Sequence, residues 1–449
     1  MNDWLAAAAK DRPEHPAIEA PDGKATFAEL HSRADCSARR LAALGVGQGG
    51  RVATTLAPSI AFCGLLHAAP RIGAALVPLN TRLPADEQRA QAEAIQADVV
   101  VDRPLDGMEA AVEPRHDLDP NAVHTVLFTS GTEGAPKPVE LTVGNLDASA
   151  AGSAAVFGVA PDDRWLCALP LFHVAGLSVL TRCARNATTA VLHDGFDAAA
   201  VTAAIADGGV TLASLVPTQL RRLRADGLMR APQLRALLLG GGPIPPDLVD
   251  WARDAGLAVC CTYGMTETAS QIAVTERWES AATPLPNADI AIGDEGEILA
   301  RGPMVSPGAI SDDGWLHTGD RGRIDRHGRL HVDGRIKELI VTGGEKVAPA
   351  VVEAVLLAHP AIADAGVAGT PDPEWGEAVS AYVLERRPVS DYDLLAFCRE
   401  RLAGYQVPKQ IIRVESLPRN AGGKLLRAKL ATSDRPGAAG GPGGASPPT

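Results

Sequence analysis

The chain has 449 residues, 46% of them hydrophobic and 21% charged, and a formal net charge of -12. That length supports two or three domains with at least one large core, and the composition excludes a disordered chain. The acidic balance argues against a general nucleic-acid binder, which would carry a basic face, yet a few well-placed donors can still hold an anion locally.

The N-terminus, Met1-Asn2-Asp3-Trp4-Leu5 followed by four alanines, lacks the basic start and apolar length of a signal peptide. The apolar region over 61–79 is interrupted by His67, Pro70 and Arg71. A membrane helix needs roughly 20 mostly apolar residues, so none is expected. The cysteines Cys36, Cys63, Cys167, Cys183, Cys260, Cys261 and Cys398 are odd in number and form no CxxC pair. They read as reduced core thiols of a cytoplasmic protein, with no disulfide frame or zinc site.

Apolar, β-branched runs then alternate with alanine-rich amphipathic segments. The pattern predicts strands over 125–128, 210–216 and 234–239, a helix over 217–224, and glycines directly after the third strand. Such alternation gives an α/β fold with parallel-rich sheets sandwiched with helices, here a large N-terminal domain over 1–334. Ligands of such folds bind at the strand ends. The pattern changes near residue 335, with a strand over 338–341, a helix over 349–359 and a strand over 361–368. This predicts a small α+β domain over 335–430. The tail over 431–449 is mostly Gly, Pro, Ala and Ser, too poor in apolar bulk to offset ordering, and is expected to be disordered.

After the first of these strands comes Thr129-Ser130-Gly131-Thr132-Glu133-Gly134-Ala135-Pro136-Lys137. Small side chains let backbone N–H groups converge on an anion, hydroxyls add donors, and Lys137 adds a point charge. A Walker A loop would end in Gly-Lys-Ser/Thr, but Pro138 follows the lysine, so the cradle is of another kind. The string resembles the phosphate loop of the adenylate-forming superfamily, which includes acyl- and aryl-CoA synthetases, luciferases and peptide-synthetase adenylation domains. The resemblance makes Thr129, Ser130, Gly131, Thr132, Gly134 and Lys137 ATP-binding residues. Glu133 and Pro138 depart from that pattern, where Ser or Thr and Gly are usual, and Glu133 is given no phosphate contact.

Further motifs follow in the order that the superfamily uses. Leu169-Pro170-Leu171-Phe172-His173-Val174-Ala175-Gly176 resembles its acyl-pocket motif, with His173 between the acyl site and the nucleotide. Gly240-Gly241-Gly242-Pro243 follows a strand, and missing side chains let a flat base lie against backbone. Thr262-Tyr263-Gly264-Met265-Thr266-Glu267-Thr268 resembles the segment that closes the adenine site. Tyr263 can stack on the base, Thr266 can reach the α-phosphate, and Glu267 can hold Mg²⁺. In Trp315-Leu316-His317-Thr318-Gly319-Asp320, the resemblance gives Asp320 to the ribose hydroxyls. Gly334-Arg335-Ile336-Lys337-Glu338 supplies a second ribose contact, Arg335, and a hinge, Lys337. By the same resemblance, Gly343 and Gly344 border the thiol channel for CoA. Leu417-Pro418-Arg419-Asn420-Ala421-Gly422-Gly423-Lys424 resembles the terminal motif whose lysine catalyses adenylation, which makes Lys424 catalytic beside Glu267 and His173.

The resemblance covers about 4–430. It implies that the small domain is mobile, that ATP, Mg²⁺ and CoA are used, and that a carboxylic acid is adenylated and then passed to CoA. Pro170-Leu171-Phe172-His173, Ser214-Leu215-Val216-Pro217-Thr218-Gln219-Leu220 and the terminal motif are similar to the o-succinylbenzoate–CoA ligase subfamily. Acyl-pocket candidates are His173, Gly176, Thr218, Gln219, Arg222, Gly240, Ser270 and Gln271. Two alternatives stay open: a general aryl- or medium-chain acyl-CoA synthetase, and a nucleotide-binding relic without turnover. Neither a nucleic-acid partner nor a membrane span is expected, and a homo-oligomer is left open.

Overall fold

A computed structural model describes residues 1–130, 136–242, 244–419 and 425–430. The chain divides into two compact units, Met1–Asp333 and a second from Gly334 onward. The tail over 431–449 lies outside the described residues.

The large unit rests on two sheets. In the first, Arg164–Cys167, Thr189–Leu192, Leu212–Leu215, Ala236–Leu239 and the start of Val259–Met265 run parallel. These strands are almost wholly apolar because both faces are covered. Trp165, Leu212 and Leu238 enter one core, while Leu166, Ala213, Leu237 and Val259 enter another on the opposite face, as the period of two requires. The second sheet joins Val99–Val101, Arg51–Thr54, Ala75–Pro78 and Val123–Ser130 in parallel and ends on antiparallel Pro136–Thr142. Its Leu76, Leu127 and Leu141 share a core with Trp165 and Leu238 of the first sheet, and with Phe27, Leu65, Leu146 and Leu177. The helices Phe27–Ala43, Ile60–Arg71, Val143–Phe157 and Val174–Asn186 thus fill the space between the sheets. This is the helix-sandwiched α/β architecture that the alternation predicts.

Val259–Met265 changes character along its length. Its first three residues pair in parallel with Leu237, Leu238 and Leu239, and its last four pair antiparallel with Ser270–Thr275. From this strand the sheet continues through antiparallel strands to Leu316–Ile324 and beyond. One strand is therefore the junction between a helix-flanked parallel sheet and an antiparallel one.

The small unit is α+β. Ile362–Asp372 and Gly376–Glu385 form a long antiparallel pair, Gln410–Arg413 adds in parallel, and Pro349–Ala358 and Asp391–Arg399 are its longer helices. Ile340, Val352, Leu356, Val367 and Val379 form its core. The strand expected over 338–341 begins only at Ile340, because Ile336–Glu338 closes as a single 3₁₀ turn. All seven cysteines are free, and five are buried. Among the described residues, no helix is long and apolar enough to cross a membrane.

Candidate active site

Strand register sets the frame. Cys167 lies beside Ser214, Leu215 beside Leu239, and Leu239 beside Cys261. The segments that follow Cys167, Leu215, Leu239 and Cys261 therefore all begin at one edge, the carboxyl ends of the parallel strands, and 262–265 continues from there as the antiparallel part of the junction strand. An α/β sheet leaves its ligand crevice there.

At this edge the glycine turn packs against the junction strand. A Cβ on Gly240 would lie 2.3 Å from Thr262 Oγ1, Gly241 takes φ +81°, and Gly242 faces open space. Pro243 lies outside the described residues. Tyr263 donates its hydroxyl to Asp320 Oδ2 at 2.8 Å. Asp320, 7% exposed, is set by Thr318, whose Oγ1 accepts from the Asp320 N–H (3.1 Å) and donates to the Ile298 carbonyl (2.7 Å). The base-stacking and ribose candidates are thus one hydrogen-bonded pair. Gly264 has no room for a side chain, since its Cβ would sit 1.9 Å from the Ser270 carbonyl oxygen.

Thr266–Thr268 forms a single 3₁₀ turn. Thr268 Oγ1 accepts from the Met265 N–H (2.9 Å) and donates to the Ser270 carbonyl (2.7 Å). Ala269 and Ser270 follow at φ 49° and 110°, two successive left-handed residues that are not glycine. Such backbone is costly, at about 1–3 kcal/mol per residue, and persists only where surrounding contacts hold it. Thr266 and Glu267 are half-buried. Among the described residues, the Glu267 carboxylate makes no hydrogen bond or ion pair, while its own carbonyl accepts from the Ser306 N–H at 2.8 Å. An uncommitted carboxylate on a fixed turn fits a hard divalent cation such as Mg²⁺, which takes one or two protein carboxylates plus phosphate oxygens.

The described ends of the phosphate string lie on two paired antiparallel strands. Thr129 pairs with Lys137 and Ser130 with Pro136, and Thr129 Oγ1 donates to the Lys137 carbonyl at 3.2 Å. Lys137 is exposed. Gly131, Thr132 and Gly134 lie outside the described residues.

The acyl candidates divide. His173 stands at the N-cap of Val174–Asn186 with its ring 4.6 Å from Phe172. Burial, assisted by the Arg82 charge, pushes its pKa down to about 4, so the ring is neutral at pH 7, and its buried Nε2 has no partner among the described residues. Ser270 receives a 3.5 Å contact from the Ser178 hydroxyl, and Gln271, 3% exposed, leaves Nε2 without a partner among the described residues. Gln219 is committed at both ends: Oε1 accepts from the Val216 N–H (3.1 Å) and Nε2 donates to the Ala168 carbonyl (3.2 Å). It braces two loops against each other. Gly176 is required by packing, since a Cβ would lie 2.4 Å from the Pro170 carbonyl oxygen. Thr218 is half-buried and Arg222 is exposed.

In the small unit, Arg335 ends the strand Leu330–Arg335 and Lys337 is exposed on the following turn. Gly343 and Gly344, at φ 58° and 87°, make a two-residue hairpin turn of the kind that matches strand twist. Lys424 lies outside the described residues. The chain on either side of it is anchored: Arg419 bridges to Leu425 and pairs with Asp364 at 2.8 Å, and Arg427 holds Glu338 and, at 2.7 Å, Glu353.

Sequence reasoning missed Asn145, Ser149 and Ser306, which bond backbone around the site without belonging to a motif, and it gave no role to Thr318, which lies inside the Asp320 motif. The spacing of Thr142 and Asn145, which cap each other at the start of Val143–Phe157, was the one local signal. Elsewhere, His31, Asp35 and His116 bring ligand atoms within 4.8 Å of one another. Arg71 donates to Asp35 (2.8 Å) and to His31 Nδ1 (3.1 Å), which leaves the His31 proton on Nε2 and a fixed cation among the ligands. That cluster is an ion-pair network and not a metal site.

Burial also makes a pH prediction. It lowers His67 to about 4 and His124 to about 3, alongside His173 at about 4, against 6.5 for a free ring. The unfolded chain therefore binds more protons between these values, so stability is full above pH 6.5 and is lost as pH falls toward 4. At about 1.4 kcal/mol per pKa unit, each ring contributes a few kcal/mol to that loss. Urea denaturation at several pH values should show the decline, and a flat profile from 6.5 to 4.5 would contradict it.

Comparison with known proteins accords with this geometry. Residues 5–309 match the AMP-binding enzyme family, and residues 351–424 match the AMP-binding enzyme C-terminal domain. The chain is 40% identical to a 2-succinylbenzoate–CoA ligase of Bacillus licheniformis, covering 95% of this chain and 98% of that one. It is similar in structure to the o-succinylbenzoate CoA synthetase of Bacillus subtilis in complex with an acyl-adenylate intermediate, with TM-score 0.89, 36% identity, and coverage of 96% of this chain and 98% of that one. The same Bacillus subtilis enzyme with ATP and magnesium ion gives TM-score 0.87 at 36% identity, covering 96% of this chain and 99% of that one.

Proposed function

The chain belongs to the AMP-binding enzyme family, and from that premise we propose that it is an ATP-dependent acid–CoA ligase acting on 2-succinylbenzoate. One observation carries the reading. The Glu267 carboxylate, without a hydrogen bond or ion pair among the described residues, the Tyr263–Asp320 pair and the glycine turn share one edge of the parallel sheet, in a chain similar over its length to an enzyme in complex with its acyl-adenylate intermediate.

The reaction has two halves. In the first, the carboxylate oxygen of the acid attacks the α-phosphorus of ATP, and pyrophosphate leaves with the electron pair of the broken P–O bond. In the second, the sulfur of CoA attacks the acyl carbon and AMP leaves. Two anions must meet in the first half, so the chief task is fixed positive charge where negative charge develops. Lys137, Lys424 and the hairpin's backbone donors supply it. Glu267 would hold magnesium, which when bound neutralises phosphate charge. Tyr263 stacks on the base, while Asp320 and Arg335 take the ribose hydroxyls. The neutral His173 ring and the Gln271 Nε2, which has no partner among the described residues, offer hydrogen bonds to the acid, alongside Ser270 and Thr218. Menaquinone biosynthesis is the pathway that such a product serves, and the seven unpaired cysteines fit a cytoplasmic setting.

Thioester formation needs an open path for a thiol, so Lys424 must withdraw. We assign the swing to Lys337, exposed on its short turn. Lys337→Pro should leave pyrophosphate release within a few-fold of the parent and impair thioester formation. Equal loss of both halves would sink the hinge assignment.

The test of the function is pyrophosphate release with a panel of acids, with and without CoA. Release with 2-succinylbenzoate should far exceed that with benzoate or hexanoate. A preference for the simple acids would favour a general aryl- or medium-chain acyl-CoA ligase. No release with any acid would leave a nucleotide-binding relic.

A further inference from the structure

We propose that Asn145 and Ser149 are positioning residues that fix the Glu267 carboxylate. The proposal rests on Glu267 being the magnesium ligand. The two side chains stand one turn apart on the helix Val143–Phe157, hence on the same face, and are 5% and 2% exposed.

Ser149 bonds the 266–269 turn itself, and Asn145 bonds the segment that bonds it. Ser149 Oγ donates directly to the Ala269 carbonyl at 2.8 Å. Asn145 acts one step removed: its Nδ2 donates to the Pro303 carbonyl (2.8 Å) and the Val305 carbonyl (3.0 Å). The next residue, Ser306, donates its N–H to the Glu267 carbonyl (2.8 Å) and its hydroxyl to the Glu140 carbonyl (2.7 Å). Glu140 lies on Pro136–Thr142, the hairpin strand that carries Lys137. Asn145 Oδ1 accepts from the Thr142 N–H at 3.0 Å, so every polar atom of its amide is used.

The physical need is clear from the turn itself. Ala269 and Ser270 hold left-handed backbone that non-glycine residues resist. No hydrogen bond or ion pair to a described residue holds the Glu267 side chain, so its place is set only through the backbone. Releasing the Ala269 carbonyl lets the turn relax, and the carboxylate then loses its fixed place. Partners that orient a metal ligand from behind typically change metal affinity by about 10–100-fold when removed.

The experiment is calorimetric titration of ATP into the parent, Ser149→Ala and Asn145→Ala, once with Mg²⁺ and once in EDTA. Both variants should lose about tenfold or more of the Mg²⁺-dependent gain in ATP affinity, while affinity in EDTA stays within about twofold of the parent. Asn145→Ala strands several buried backbone groups, so if it fails to fold, Ser149→Ala carries the test alone. A lowered melting temperature with the Mg²⁺-dependent gain intact would make the brace merely structural and overturn the proposal. A parent with no Mg²⁺-dependent gain would instead overturn the reading of Glu267, and the proposal with it.

Discussion

Replacing Lys424 with alanine is expected to slow pyrophosphate release by about 10²–10³-fold, the usual cost of removing one preorganised charge-stabilising donor. ATP binding and melting temperature should stay close to the parent, because the change removes charge where it develops and not where the ground state is held. The chain has eight lysines among its 42 lysines and arginines, so a lysine directly after two glycines is a specific choice where arginine is otherwise the rule. The flanking chain is firmly tied, through Arg419 to Asp364 and through Arg427 to Glu353 and Glu338. A variant that releases pyrophosphate at near the parent rate would remove Lys424 from the mechanism.

The second large effect is expected at Gly264. Its Cβ would stand 1.9 Å from the Ser270 carbonyl oxygen and 2.7 Å from Gln271 Cα. Both atoms are backbone of the opposing strand, so no rotamer change relieves the clash. Overpacking typically costs about 1–3 kcal/mol, and a collision between two backbones belongs at the upper end or beyond. Gly264→Ala should therefore lower the melting temperature and, by prising apart the strands that carry Tyr263 and Ser270, weaken ATP binding as well. A melting temperature and ATP affinity matching the parent would show that the junction can move, against the geometry argued above.

Which parts of the site the sequence could reveal follows from the range of the interactions. Phosphate, base and ribose candidates sit in short strings whose residue types state their own chemistry, such as the glycines at 240–242 or the carboxylate of Glu267. The acyl candidates were harder. Gln219 looked like a donor for the acid, yet its amide spans Val216 and Ala168, and the need for glycine at 176 comes from the Pro170 carbonyl. Neither contact leaves a trace in the local pattern, because each depends on how one loop lies against another. The strand expected over 338–341 starts two residues late, at Ile340, because Glu338 closes the preceding 3₁₀ turn, and a stretch this short carries too little periodicity to fix its first residue.

The sequence by itself determined the alternating α/β architecture and the ordered chemical motifs, since both rest on patterns within a few residues. Only the tertiary structure decided that Tyr263 and Asp320, 57 positions apart, are one pair. It also decided that Val259–Met265 joins two kinds of sheet, and that Asn145 reaches 160 positions along the chain to the Val305 carbonyl and Ser149 120 positions to the Ala269 carbonyl. The reason is physical. A buried side chain finds its hydrogen-bond partner in space after the strands have stacked, and residue spacing along the chain carries no record of that meeting.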